Sequence, residues 1–224
     1  LSTIIKIIVD NPKNIWYNIF RRKVFAFAAS GNFYFDRDDI MKNFTVRDMT
    51  LCALFTAIIA VCSQISVPMT VPFTMQTFAI FCTLGILGGK RGTVSILLYV
   101  VLGTIGIPVF AEFTGGFGIV LGATGGYIIG FVPMALIYWA AEKLFGKGLP
   151  VVIASMAAGL LVLYAFGTLW FMWVYTKNTE AVDFFTALKW CVLPFIVPDA
   201  VKAALAVFIS GRVSKYANIK RQPA

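Results

Sequence analysis

At 224 residues the chain is long enough for one or two soluble domains, but 59% hydrophobic residues, 13% charged residues and a mean hydropathy of +0.85 put it among membrane proteins. Histidine is absent, which excludes imidazole general-base catalysis, Ser-His-Asp hydrolysis, HExxH zinc chemistry and haem ligation by His. The 19 Lys and Arg against 10 Asp and Glu give a net charge of +9, which in so apolar a chain reads as basic loops against an anionic lipid face rather than a nucleic-acid footprint.

Residues 1 to 44 differ from everything after them, being rich in Lys, Arg and Asp and containing no membrane span. The short apolar run Ile4 to Val9 is broken by Lys6 and followed by Pro12, so it does not have the uninterrupted apolar core of a secretory signal. Two readings stay open: a basic interfacial segment on the cytoplasmic face, or sequence upstream of a start at Met41. The second is favoured, because the chain opens with Leu1 and Met41-Lys42-Asn43 stands just before the first span.

From Arg47 onward the apolar runs approach the ~20 residues needed to cross ~30 Å of hydrocarbon. Gly, Pro and charged residues divide them into six expected spans, at about 48–67, 73–89, 92–110, 118–141, 150–175 and 190–212. Arg47, Lys90, Arg91, Lys143, Lys147, Arg212, Lys215, Lys220 and Arg221 fall on one side of that arrangement, against Lys177 and Lys189 on the other. The expected architecture is therefore an all-α integral membrane protein with six transmembrane helices and both termini cytoplasmic. It comprises a basic extension at 1–44, a membrane domain at 45–215 and a basic tail at 216–224. Cys52, Cys62, Cys82 and Cys191 all lie in apolar stretches without CxxC spacing and are expected to be buried free thiols, with no metal site.

Ionisable residues inside a bilayer cost on the order of 2.5 to 3.5 kcal/mol each and mark functional sites. The sixth span supplies Asp199 and Lys202, three apart and so on one helix face. Pro198 suggests a helix start there, which would set Asp199 at the positive end of a helix dipole, about ten residues in from Lys189. A packing ion pair that only fixes register is the competing reading.

The 3/4 connection from Gly106 to Gly118 has no basic residue, three aromatics and several glycines, among them Phe110, Phe113, Gly115 and Gly116. It reads as a lid over a ligand, or else as an ordinary outer turn. Tyr127, after the small residues Gly122 to Gly126, offers a hydroxyl to a cavity. Ala53 and Ala57 place two small side chains one turn apart on the first span, where another helix could dock; internal packing is the commoner meaning of that spacing. No GxxxxGK[ST] occurs, so the chain carries no ATP engine of its own.

Taken together, Pro72-Phe73-Thr74-Met75-Gln76, the run Gly103 to Phe110, Gly115-Gly116, the run Thr124 to Phe131 and Pro194 to Lys202 resemble the BioY family over about residues 45–212. This family comprises biotin-specific substrate-binding components of energy-coupling-factor transporters. The resemblance implies a carrier rather than an enzyme, with no cofactor, in a bacterial plasma membrane. Such a carrier captures biotin outside and works with a transmembrane coupling subunit and two cytoplasmic ATPases. It implies that Asp199 and Lys202 make polar contacts deep in the pocket, that Gln76, Tyr127 and the Phe110 to Gly118 loop add contacts and closure, and that Ala53 and Ala57 form the AxxxA signature meeting the coupling subunit. Glu112 stands where the family more usually has a small residue. Two other functions stay open on the residues themselves. One is a proton-coupled secondary transporter using Asp199 or Glu112; the other is an intramembrane enzyme built on a carboxylate pair or a Ser-Lys dyad.

Overall fold

The computed structural model describes residues 44–178 and 182–216, so the expectations for the N-terminal extension and most of the C-terminal tail lie outside the described residues. The described residues begin with α1 (Val46–Gln64), whose entry is fixed by a capping box: the Asp48 amide donates to Thr45 Oγ1 at 3.3 Å and the Thr45 amide to Asp48 Oδ2 at 3.1 Å. The strands β1 (Ser66–Val67) and β2 (Phe73–Thr74) pair antiparallel, Ser66 with Thr74 and Val67 with Phe73. This hairpin occupies positions expected to close the first span and open the second. The five residues between the strands' inner ends include Pro68 and Pro72, which cannot donate to a helix ladder.

Two short helices follow, α2 (Gln76–Leu87) and α3 (Gly89–Thr104), separated by the single residue Gly88 at φ +82. Only a residue without Cβ turns the chain this way at no steric cost. The expected loop at Lys90-Arg91 is thus the first turn of α3, and Arg91 is buried in an ion pair with Asp48 of α1 at 2.7 Å. Glu142 accepts a hydrogen bond from the Gly89 amide at the same turn, capping the α3 N-terminus from a neighbouring helix. At ~1.5 Å per residue the twelve residues of α2 rise only ~18 Å, short of a ~30 Å core. Residues 79–87 are buried throughout, so α2 is enclosed by protein and apolar on all sides.

After a 3-10 turn at Ala111–Phe113 come α4 (Phe117–Leu121), α5 (Gly125–Phe145), α6 (Leu149–Asn178), α7 (Phe184–Cys191) and α8 (Leu193–Tyr216). Among the described residues four stretches are long and apolar enough to cross a bilayer: Val46–Gln64, Gly125–Phe145, Leu149–Lys177 and Phe184–Val213. The α5–α6 contact is the most extensive, and α8 packs on α2. Along the α5–α6 seam the Tyr127 ring lies directly over Gly167 and the Trp170 side chain over Gly126, so each bulky group fills the space that the opposite helix leaves open. The core runs from Phe55 and Ile59 of α1 through Phe81 and Leu84 of α2 to Phe131 and Met134 of α5.

The last span differs from its sequence reading. The chain breaks at Val192 (φ −126, ψ −55), and α8 begins at Leu193, running through Pro198 without interruption. Pro194 holds the tolerated early position and Pro198 lies in the helix body, so Asp199 is in the second turn and is not stabilised by a helix N-terminus. The cysteines are all free; Cys52, Cys82 and Cys191 are buried, whereas Cys62 is only partly so.

Candidate functional site

A cavity of about 240 Å³ lies between the hairpin, the 110–114 loop and helices α2, α4, α5, α6 and α8. Its walls are mainly apolar, with Phe110, Ile119, Ile128, Phe131, Leu163 and Phe195 around a polar end. Its volume suits a compact ligand, just below the ~300 Å³ at which drug-sized pockets begin.

At the polar end α8 supplies Asp199 and Lys202, both buried, with Lys202 Nζ 2.9 Å from Asp199 Oδ1. The i, i+3 spacing brings the two side chains together on the helix face turned to α2. Helix α2 answers with Thr77, whose hydroxyl donates to Asp199 Oδ1 at 3.0 Å and accepts from Lys202 at 3.1 Å. The hairpin contributes the Thr74 carbonyl, 2.6 Å from Lys202 Nζ, and the Phe73 ring, whose centroid lies 3.9 Å beneath the ammonium. From α6, Tyr164 donates its hydroxyl to Asp199 Oδ2 at 2.8 Å.

An ammonium has three protons, and those of Lys202 go to Thr74, Thr77 and Asp199. The cation is fully satisfied without a ligand. Two positions stay open. Asp199 Oδ2 accepts only from Tyr164 and has room for a second donor. Gln76, at 6% exposure in the cavity wall, has an Nε2 without a hydrogen-bond partner. The polar end therefore keeps one acceptor position open on Asp199, while Gln76 Nε2 is a buried amide donor without a partner, at a cost of about 1–3 kcal/mol.

Of the residues expected at the site, Asp199, Lys202, Gln76, Tyr127 and Phe110 line the cavity. Tyr127 points its hydroxyl to Thr168 at 3.0 Å. Phe110 is buried, packs edge-on to Tyr99 at 5.6 Å between ring centroids and covers Gly103. Phe113, Gly115 and Gly116 are not in the lining. Phe113 is 73% exposed and turned outward by a left-handed backbone (φ +54), Gly115 sits against the Ile107 carbonyl, and the Gly116 amide donates to Gly103 O at 2.7 Å. The loop instead lines the cavity with Ala111, Glu112 and Thr114. Sequence reasoning missed Thr74, Thr77 and Tyr164. Tyr164 did leave a signal, as one of the few titratable side chains in an otherwise unbroken apolar run.

Ala53 and Ala57 are exposed on α1 beside Met49, Leu54, Ile58 and Val61, while Cys52, Phe55, Thr56 and Ile59 form its buried face. The two alanines are therefore on an outer surface and do not pack internally.

A family model described as the BioY family matches residues 38–218. Similar proteins include a probable biotin transporter BioY of Pyrococcus horikoshii, 44% identical over 168 residues covering 75% of this chain and 96% of the relative. A biotin transporter BioY of Thermotoga maritima is 37% identical over 172 residues, covering 76% and 97%. Among solved structures, a 2.1 Å crystal structure of the S-component for biotin from an ECF-type ABC transporter is similar with a TM-score of 0.64 at 30% identity, over 76% of this chain and 92% of that one.

Proposed function

The chain belongs to the BioY family, and from that premise we propose that its cavity captures biotin and that the protein carries it across the plasma membrane as the substrate-binding component of an energy-coupling-factor transporter. The observation that carries this reading is the open acceptor position on Asp199 Oδ2 in the wall of an apolar chamber that also includes the unpartnered amide of Gln76. The ureido ring of biotin has N–H donors and a carbonyl acceptor on a rigid frame and complements that pair. Phe110, Phe131 and Phe195 suit its thioether ring and aliphatic chain. Lys202 then acts by orienting Asp199, since its own protons are engaged.

The membrane domain is read as residues 45–215, flanked by the 1–44 extension and the 216–224 tail, with both termini cytoplasmic. Six spans result when α1, α2, α3, α5, α6 and the joined α7–α8 are each counted once. Successive helices alternate in direction, which puts the Gly88 turn and Lys147 on the cytoplasmic side. The hairpin and the 110–114 loop fall on the outer side, so the cavity opens outward. The transmembrane coupling subunit would meet α1 at Ala53 and Ala57, and two ATPases would act through that subunit. The chain has no nucleotide-binding motif and no catalytic role in this scheme.

Calorimetric titration of the purified full chain in detergent with biotin, riboflavin, thiamine and a simple carboxylate tests the reading. Saturable binding of biotin alone is expected; binding of another vitamin with no response to biotin would refute it.

A further inference from the structure

Among the described residues the charged lining of the cavity consists of Asp199, Lys202 and Glu112. The first two neutralise each other at 2.9 Å, so the wall carries one excess negative charge, on Glu112 in the 110–114 loop. Glu112 is exposed and sits at φ 58, ψ 34, a left-handed conformation that costs a residue with Cβ about 1–2 kcal/mol. The fold enforces it. Gln64 at the end of α1 clamps both flanks with one amide: its Nε2 donates to Phe110 O at 2.9 Å and its Oε1 accepts from the Phe113 amide at 2.8 Å. Ser63 and Tyr99 anchor the preceding residue through Val109 O, at 2.6 and 3.1 Å. The backbone of Glu112 is therefore fixed at the cavity wall, and Lys202, the only cation in the lining among the described residues, has its three protons committed to Thr74, Thr77 and Asp199.

The excess negative charge penalises an ionised carboxylate tail relative to a neutral one. Resting on the biotin reading above, we propose that Glu112 is a specificity-determining residue that weighs against an ionised tail and favours biotin whose carboxyl group is capped as an ester or amide. With the ureido ring at Asp199 and Gln76, the tail extends toward the loop and meets Glu112. In the opposite orientation Glu112 would accept from the ureido ring and help every biotin derivative alike.

The test titrates the full-length protein in detergent with biotin and with biotin methyl ester, for wild type, Glu112→Gln and Glu112→Ala. Wild type is expected to bind the ester more tightly than biotin, by about fivefold or more at low salt, the scale for like charges in a partly screened site. Both variants are expected to tighten biotin by a similar factor and leave the ester unchanged, and 1 M salt should shrink the wild-type ratio. An ester-to-biotin ratio that the variants do not move overturns the inference alone, as does equal weakening of both ligands. Failure of wild type to bind either ligand overturns the biotin reading as well.

Discussion

Replacing Asp199 with Asn keeps the shape of the side chain and removes its charge. The carboxylate accepts three hydrogen bonds, from Lys202 at 2.9 Å, Thr77 at 3.0 Å and Tyr164 at 2.8 Å, and keeps one position for a ligand. Asparagine has one acceptor oxygen. If that oxygen keeps Lys202 and Thr77, the amide NH2 replaces Oδ2 and meets the ligand's N–H as a second donor. A hydrogen bond to a charged group contributes about 1.5–3 kcal/mol, so biotin affinity is expected to fall roughly 10- to 150-fold. The same change strands the buried Lys202 cation, and breaking one partner of a buried pair typically costs about 3–5 kcal/mol of stability. A fall in binding could then reflect partial unfolding, and the double variant Asp199→Asn with Lys202→Met separates the two effects. Removing the stranded cation is expected to recover part of the thermal stability in detergent while biotin binding stays lost. Calorimetric titration alongside thermal denaturation gives both quantities. Biotin curves for Asp199→Asn that superimpose on wild type would refute the reasoning, as would a double variant that regains affinity together with stability.

Ala57→Leu is expected to leave biotin affinity within about twofold, because the residue faces outward from α1, and to abolish co-purification with the transmembrane coupling subunit; normal co-purification would remove α1 from that interface. Gly103→Ala places a methyl group inside the Phe110 ring, forcing the ring and its loop from the cavity wall at a cost of about 1–3 kcal/mol. A lowered unfolding temperature with weakened biotin binding is expected, and an unchanged protein would show that the loop adapts freely.

Much of the site could be read from Asp199 and Lys202, because charges three apart within an apolar run have few uses besides answering each other and facing a cavity. Their local geometry could not. Pro198 looks like a helix start, yet Pro194 and the break at Val192 set that start five residues earlier, and only the packing against α2 and α6 decides which proline stands inside. The short α2 was legible as apolar but not as enclosed: its length falls below a bilayer crossing because protein, rather than lipid, surrounds it. Lys90-Arg91 scored as a loop by charge, whereas one glycine makes the whole turn and Asp48, 43 residues away in sequence, takes up the arginine. In the 110–114 loop the conspicuous letters, Phe113 and the glycine pair, shape the backbone. The residues that reach the chamber are Phe110, Ala111, Glu112 and Thr114. Tyr164 and Thr77 escaped notice since a lone hydroxyl in a span acquires meaning only from what lies opposite.

The self-contained bonding of Lys202 bears on how such a carrier completes a cycle. When cargo departs, no bare ammonium is left behind in a low-dielectric interior, since Thr74, Thr77 and Asp199 continue to solvate it. The Asp199–Lys202 end of the vacated chamber is therefore electrostatically quiet, and the return journey to collect a second molecule does not have to drag a naked ammonium through hydrocarbon.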